Sequence, residues 1–199
     1  MTNPLILASG SQIRRQILEN AGLLVDVQPV KIDESMIKAS LLAEGATPRD
    51  VADALAEMKA QKGAMKHPTG LVLGCDQVLS LNTELLSKPE TKAHAVEQLQ
   101  KLSAGKHILL SAAVLYQDQK PVWRFVGKAE MFVRALSDDF IANYVEENWN
   151  EIRHCVGCYQ IERKGAQLFS RVQGDQFTIM GLSLYELLAY LRVTGHITS

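Results

Sequence analysis

The sequence predicts an α/β fold, a mixed β-sheet covered by helices, and three observations carry that prediction. Short apolar runs alternate with amphipathic stretches of helical period along the chain, the pattern of strands and helices packed in layers. Leu71-Val72-Leu73-Gly74-Cys75-Asp76-Gln77-Val78-Leu79 is apolar on both alternating faces, with Asp76 set in its middle, as a central strand of a covered sheet should be. Residues 108–116 and 122–133 form two longer runs around the polar Gln117-Asp118-Gln119-Lys120, which reads as a hairpin or meander. The chain has 199 residues, and domains of roughly 100 to 200 residues are the norm. One domain over residues 1–199 is therefore expected first, and two small lobes second. A weak lobe boundary falls near Lys106 or around Leu136, without a Pro, Gly or Ser-rich linker to mark it.

The elements follow in order. Leu5-Ile6-Leu7-Ala8 is a short strand that stops at Ser9-Gly10-Ser11. Ile13, Ile17, Leu18 and Ala21 then recur at helical spacing up to Gly22, so residues 11–21 form a helix. Residues 23–30 read as a second strand, followed by the acidic step Asp33-Glu34. Thr47-Pro48-Arg49-Asp50 resembles a capping box with proline at the first helical position. Its helix runs to about Gly63 with Val51, Ala52, Leu55, Ala56 and Met58 as the apolar stripe. Residues 91–102 are amphipathic through Ala95, Val96, Leu99 and Leu102, and end at Gly105. Ser137-Asp138-Asp139 caps a helix carrying Phe140, Ile141, Tyr144 and Val145. Residues 158–161 and 168–172 read as short strands about Lys164-Gly165. Ser183-Leu184-Tyr185-Glu186 fits a capping box for a last helix through Leu187, Leu188 and Leu191 to Gly195.

The 21 basic and 22 acidic residues give a formal net charge of −1, and 47% of residues are hydrophobic. A disordered chain would carry fewer apolar residues and a larger imbalance. A duplex-DNA binder would need a basic excess, so no nucleic-acid polymer is expected as partner. Any anionic ligand has to be met by a local basic cluster. No basic region precedes the first apolar run, and nothing approaches the roughly 18 apolar residues of a membrane span. A soluble, cytoplasmic protein with no membrane partner is expected. Cys75, Cys155 and Cys158 are an odd set, which argues against a disulfide framework. Cys155-Val156-Gly157-Cys158, preceded by His154, would offer a Cys3His zinc set with Cys75, or a redox couple alone. A lone CxxC is a weak signal, and the plainer reading is a buried small-residue stretch entering a strand.

The strand, turn and helix at residues 5–21 place Ser9, Ser11, Arg14 and Arg15 around a helix N-terminus. Unpaired N–H groups, the helix dipole, two hydroxyls and two guanidinium groups make a complete anion site there. Without a GxxxxGK[ST] run it is no P-loop. The plainer alternative is an ordinary serine N-cap beside solvated arginines. Asp76 is the sharper signal, because a carboxylate in an apolar strand is costly to bury unless paired or metal-bound. Asp33-Glu34 supplies further carboxylates, and with Asp76 would suit Mg²⁺ or Mn²⁺ shared with phosphate oxygens. Lys59 continues the apolar stripe of its helix, so it either snorkels outward or points into a cleft. Lys88-Pro89 stands in a turn where a surface lysine is the default.

These residues resemble the Maf family of nucleoside triphosphate pyrophosphatases. The resemblance lies in Leu7-Ala8-Ser9-Gly10-Ser11-Gln12-Ile13-Arg14-Arg15, Asp33-Glu34, residues 55–59, Leu73-Gly74-Cys75-Asp76-Gln77-Val78, Ser87-Lys88-Pro89, Leu102-Ser103-Ala104-Gly105-Lys106-His107 and Gly181-Leu182-Ser183-Leu184. These segments occur in the family's order and span nearly the whole chain. The resemblance implies a two-lobed, inosine-triphosphatase-like fold with a central cleft, and often a homodimer. It implies hydrolysis of a nucleoside triphosphate between the α- and β-phosphates, giving the monophosphate and pyrophosphate. Asp76 matches the family's proton acceptor. Ser9, Arg14, Arg15, Glu34, Lys59 and Lys88 match its phosphate- and metal-handling positions. A divalent cation, Mg²⁺, Mn²⁺ or Co²⁺, is implied near Glu34 and Asp76. Ile13, Gln77 and Glu162 match the positions associated with specificity, the last two resembling the branch acting on 7-methyl-GTP. Ile13 departs from the aromatic residue of that branch, Ser87 from the glycine before Lys-Pro, and residues 148–159 from the family's acidic pattern.

A metal-dependent pyrophosphatase, with a housecleaning role, is therefore the leading expectation. The alternatives are a catalytically weakened nucleotide-binding protein linked to septum formation, drawn from the altered residues 148–159, and a zinc or redox protein using Cys155 and Cys158.

Overall fold

The computed structural model describes residues 4–198. In chain order the elements are β1 (Leu5–Leu7), α1 (Gln12–Asn20), β2 (Val25–Val27), α2 (Glu34–Ala43), α3 (Pro48–Lys66), β3 (Val72–Leu81) and β4 (Glu84–Leu86). There follow α4 (Lys92–Leu102), β5 (Lys106–Gln117), β6 (Lys120–Val133), α5 (Asp138–Ile152), a 3-10 turn (Lys164–Leu168), β7 (Phe169–Gln173), α6 (Gln176–Ile179) and α7 (Leu184–Val193). The strands form one sheet in the order β2-β1-β3-β5-β6-β7, with β4 paired on β3. β1 runs parallel to both β2 and β3, in register at Leu5 with Val25 and Ile6 with Val72. β4 is antiparallel to β3 and β7 to β6. This is the mixed sheet with helices that the alternating pattern predicts.

The chain divides into two compact units. The first comprises the chain up to Asp76, Ser111–Gly127 and the chain from Gly181; the second comprises Gln77–Leu110 and Lys128–Met180. Three of the four crossings fall inside β3, β5 and β6, where backbone continuity matters and no linker composition can mark them.

In the first unit α3 begins with the expected capping box. Thr47 accepts from the Asp50 N–H, the Asp50 carboxylate accepts from the Thr47 N–H, and Pro48 starts the helix. Its buried face is Val51, Ala52, Leu55, Ala56, Lys59, Ala60, Gly63 and Ala64, a repeat of three and four residues. Met58, expected on that stripe, lies off it and is exposed. The helix rests directly on β3 because Gly74 leaves room. A Cβ there would overlap the Ala56 carbonyl oxygen and the Ala60 nitrogen.

The second unit has its own core, built from Leu79, Leu99, Leu102, Leu109, Met131, Ile141 and Tyr144 among others. The polar turn between β5 and β6 is tight, with Asp118 and Gln119 at φ 49° and 61°, the left-handed pair that suits a two-residue hairpin.

Four expectations need correction. The second strand is only Val25–Val27. Asp33-Glu34, expected as an acidic step alone, opens α2: Asp33 caps the helix by accepting from the Met36 N–H, and the helix buries no residue fully, so it leaves no apolar stripe to read. Residues 158–161 form no strand but a bend and irregular backbone, with Gly157 and Cys158 at φ 78° and 61°. Ser183 stands at the N-cap of α7, but its side chain makes no capping bond. Among the described residues no helix is long and apolar enough to cross a membrane.

Candidate functional site

The first unit gathers most of the predicted residues around the end of its part of β3. Sheet pairing carries Asp76 to that end, and α3, packed closely over Gly74, projects Lys59 to meet it. Lys59 Nζ lies 2.6 Å from Asp76 Oδ1 and 2.7 Å from Glu34 Oε1. The side chains of Lys59 and Asp76 are only 11% and 7% exposed, so the pair is largely removed from water. A buried carboxylate and a buried ammonium each need such a partner. Lys59 therefore points inward instead of snorkelling. Glu34, the first residue of α2, closes the group at the surface side. Asp76 Oδ2 is buried and has no hydrogen-bond partner, so the acceptor capacity of one carboxylate oxygen is unspent.

The turn after β1 stands beside this group. Ser11 is the N-cap of α1, accepting from the Arg14 N–H, so the plainer reading holds for that serine. Ser9 Oγ accepts from the Ser11 N–H at 3.3 Å and from Arg14 Nη1 at 3.2 Å. Arg14 also donates through Nη1 to the Cys75 carbonyl at 3.1 Å and through Nε to the Gly181 carbonyl at 2.9 Å. Arg15 instead lies on the exposed side of the helix, paired with Glu19 one turn on at 2.8 Å. Ile13, on the same helix, is half-buried. Burial pushes the Cys75 thiol up to about 11, even though Arg14 and Lys59 favour its thiolate.

Lys88, Gln77 and Glu162 belong to the second unit. Gln77 Nε2 donates to the carbonyls of Thr178 and Ile179, at 3.2 and 3.0 Å, so its amide ties β3 to the end of α6. Lys88 and Glu162 are both exposed, and both act electrostatically on the Cys155 thiol, whose pKa burial raises above the usual value. Sequence reasoning missed Gln98, which is buried on α4. Its Nε2 donates to the Ser87 carbonyl at 2.8 Å, beside Lys88, and its Oε1 accepts from Cys158 Sγ at 3.2 Å. Its position on the apolar face of α4 was the available signal. Burial pushes the Cys158 thiol up to about 12, so neither member of the CxxC is a low-pKa nucleophile of the redox type.

No group of three or more His, Cys, Asp or Glu side chains is placed to hold a metal among the described residues, so the Cys3His set is not assembled. Glu34 and Asp76 are a pair of hard oxygen donors around one ammonium. That fits a cation that keeps its waters and is bound through one or two carboxylates together with substrate phosphates.

A family model described as Maf-like protein matches residues 4–194. A nucleoside triphosphate pyrophosphatase of Ruegeria pomeroyi is 52% identical over 195 residues, covering 98% of each chain. A protein of the same name from Caulobacter vibrioides is 45% identical over 195 residues, again covering 98% of each. A 7-methyl-GTP pyrophosphatase of Mesorhizobium japonicum is 47% identical over 197 residues, covering 99% of each.

Proposed function

The chain belongs to the Maf-like protein family, and on that premise we propose that it is a nucleoside triphosphate pyrophosphatase, a hydrolase that cleaves the α-β phosphoanhydride to yield the monophosphate and pyrophosphate. The observation that carries the reading is the buried Lys59–Asp76 pair with Asp76 Oδ2 left without a partner. Lys59 holds Oδ1 and fixes the carboxylate plane. Oδ2 then accepts a proton from the attacking water as its oxygen bonds to phosphorus and the bond to the pyrophosphate oxygen breaks. Lys59 and Arg15 meet the charge of the phosphate chain. Ser9 and Arg14 hold the turn beside Asp76. A divalent cation would be held near Glu34 and Asp76, and would supply charge neutralisation on the phosphate oxygens.

For the base, Glu162 is the residue we assign to recognition. A carboxylate accepts the N–H donors on a guanine edge, and a cationic methylated base adds attraction. Ile13 offers no aromatic face, so selectivity rests on hydrogen bonding and charge. The relatives carry both a general name and the name 7-methyl-GTP pyrophosphatase, so both substrate classes belong in the test.

The purified protein is incubated with 7-methyl-GTP, GTP, dTTP, UTP and CTP, each with Mg²⁺, Mn²⁺ or Co²⁺. Pyrophosphate release is expected, with Asp76→Asn lowering kcat by about 100-fold or more. Release of orthophosphate, or turnover that survives Asp76→Asn, would overturn the mechanism.

A further inference from the structure

We propose that Cys155 and Cys158 are a modification site, a reversible disulfide made by a hydroperoxide oxidant, and that Gln98 transmits its formation to the backbone at Ser87. All of these residues belong to the second unit, and the proposal stands independently of the hydrolytic reading above.

The backbone of residues 155–158 is a closed turn. The Cys158 N–H donates to the Cys155 carbonyl at 3.3 Å, and Gly157, at φ 78°, fills the position where a type II turn requires a positive φ. Such a turn holds its first and fourth Cα atoms within about 7 Å, and a disulfide spans about 4.4 to 6.8 Å. The chain reversal that a bridge needs is thus already made. Gly157 is also packed in, since a Cβ there would overlap Leu79 Cδ1 and Tyr159 Cε1. The two sulfurs differ in access: Cys155 is half-buried and Cys158 is buried, so the oxidant meets the first and the second resolves it. Cys155 ionises and its sulfur attacks the peroxide. An S–O bond forms as O–O breaks, and the departing hydroxide takes the Cys155 proton and leaves as water. The Cys158 sulfur then attacks the resulting sulfenic acid. The S–S bond forms as S–O breaks, and the second oxygen leaves as water with the Cys158 proton. Two electrons pass from the thiols to the peroxide. Burial raises both thiols above their ordinary range, so the bridge forms slowly and answers sustained oxidant.

Gln98 is placed to sense the change. Its Nε2 donates to the Ser87 carbonyl at 2.8 Å and stands 3.1 Å from His94 Nε2. That orientation turns Oε1 toward Cys158, whose S–H donates to it at 3.2 Å. A disulfide sulfur carries no hydrogen. Bridging therefore strands a buried amide oxygen, which is costly, so Gln98 turns away and the Ser87 carbonyl loses its donor.

The full chain is treated with hydrogen peroxide, alkylated in denaturant and digested with trypsin. Both cysteines fall in residues 154–163, between Arg153 and the cut after Arg163. That peptide is expected unalkylated and two hydrogens lighter, with Cys75 still alkylated, and a thiol reductant should restore both sites. Hydrogen exchange of the backbone amides around Ser87 should rise by about 3-fold or more in the bridged protein. Gln98→Leu should exchange as fast without peroxide. Cys158→Ser, whose hydroxyl keeps the bond to Gln98, should neither bridge nor loosen, and Cys155→Ser serves the same end if Cys158→Ser folds poorly. A peptide that keeps both thiols, or gains oxygen at Cys155 without a bridge, overturns the modification site. A bridge that leaves exchange around Ser87 unchanged overturns the role of Gln98.

Discussion

At the scale of the residue, Lys59 shows what one side chain can be asked to do. It occupies a position on α3 that the helical repeat reserves for the core, and it is tolerated there because Asp76 and Glu34 supply its counter-charges. The sequence made this legible, since a lysine on an apolar stripe and an aspartate in an apolar strand each demand a partner. It could not show that they are each other's partner, because the juxtaposition depends on how α3 crosses β3. Arg14 and Arg15 were less legible still: neighbours in sequence, they point to opposite surroundings because successive residues of a helix diverge by about 100°. If Lys59 balances Asp76, removing it strands a buried carboxylate. Lys59→Met should lose about 3 to 5 kcal/mol of stability, read from urea unfolding, together with nearly all turnover. The double variant Lys59→Met/Asp76→Leu should recover most of the stability and none of the activity. Independent, additive losses would mean that the pair is not coupled.

At the scale of the element, close packing of helix on strand is what aims these groups. The capping box of α3 was readable from Thr47 to Asp50, and so was the hydrophobic face that follows it. Its distance from the sheet was not, because that depends on one missing Cβ at Gly74. α2 escaped notice for the converse reason: it buries no residue fully, so no apolar period announces it, although it carries Glu34 into the site. Residues 158–161 read as a strand in the sequence, since the positive φ of Cys158 leaves no mark in composition. Gly74→Ala therefore tests the element. Its Cβ meets backbone atoms of Ala56 and Ala60, which cannot rotate away, so α3 has to shift. A loss of about 1 to 3 kcal/mol is expected from overpacking, with kcat reduced further than stability alone explains because Lys59 moves off Asp76. Unchanged kcat in a protein that melts lower would show that the helix tolerates displacement.

For the whole molecule, the total of 21 basic and 22 acidic residues says little about where charge matters, and its response to acid should be set by a neutral group. His107 is buried in the second unit, its Nε2 2.7 Å from the Tyr159 hydroxyl and its ring packed against Tyr159 and Phe169. Nδ1 is buried without a partner, and burial lowers the pKa to about 4 from the ordinary 6.5. An unfolded chain takes up this proton near pH 6.5, whereas the folded one refuses it until about pH 4. Between those values the unfolded state binds more protons, so stability falls as the pH falls, by about 3 kcal/mol across the window. The carboxylates held low by hydrogen bonds or ion pairs, Asp33, Asp50 and Glu130, have ordinary values of 3.8 to 4.5. Their contribution is lost mainly at lower pH, which separates the two effects. Urea unfolding at pH 7.0, 6.0 and 5.0 should show the decline in the wild-type protein and a much flatter profile in His107→Gln, whatever that variant's stability at neutral pH. An equal slope in both would mean that some other group takes up the proton.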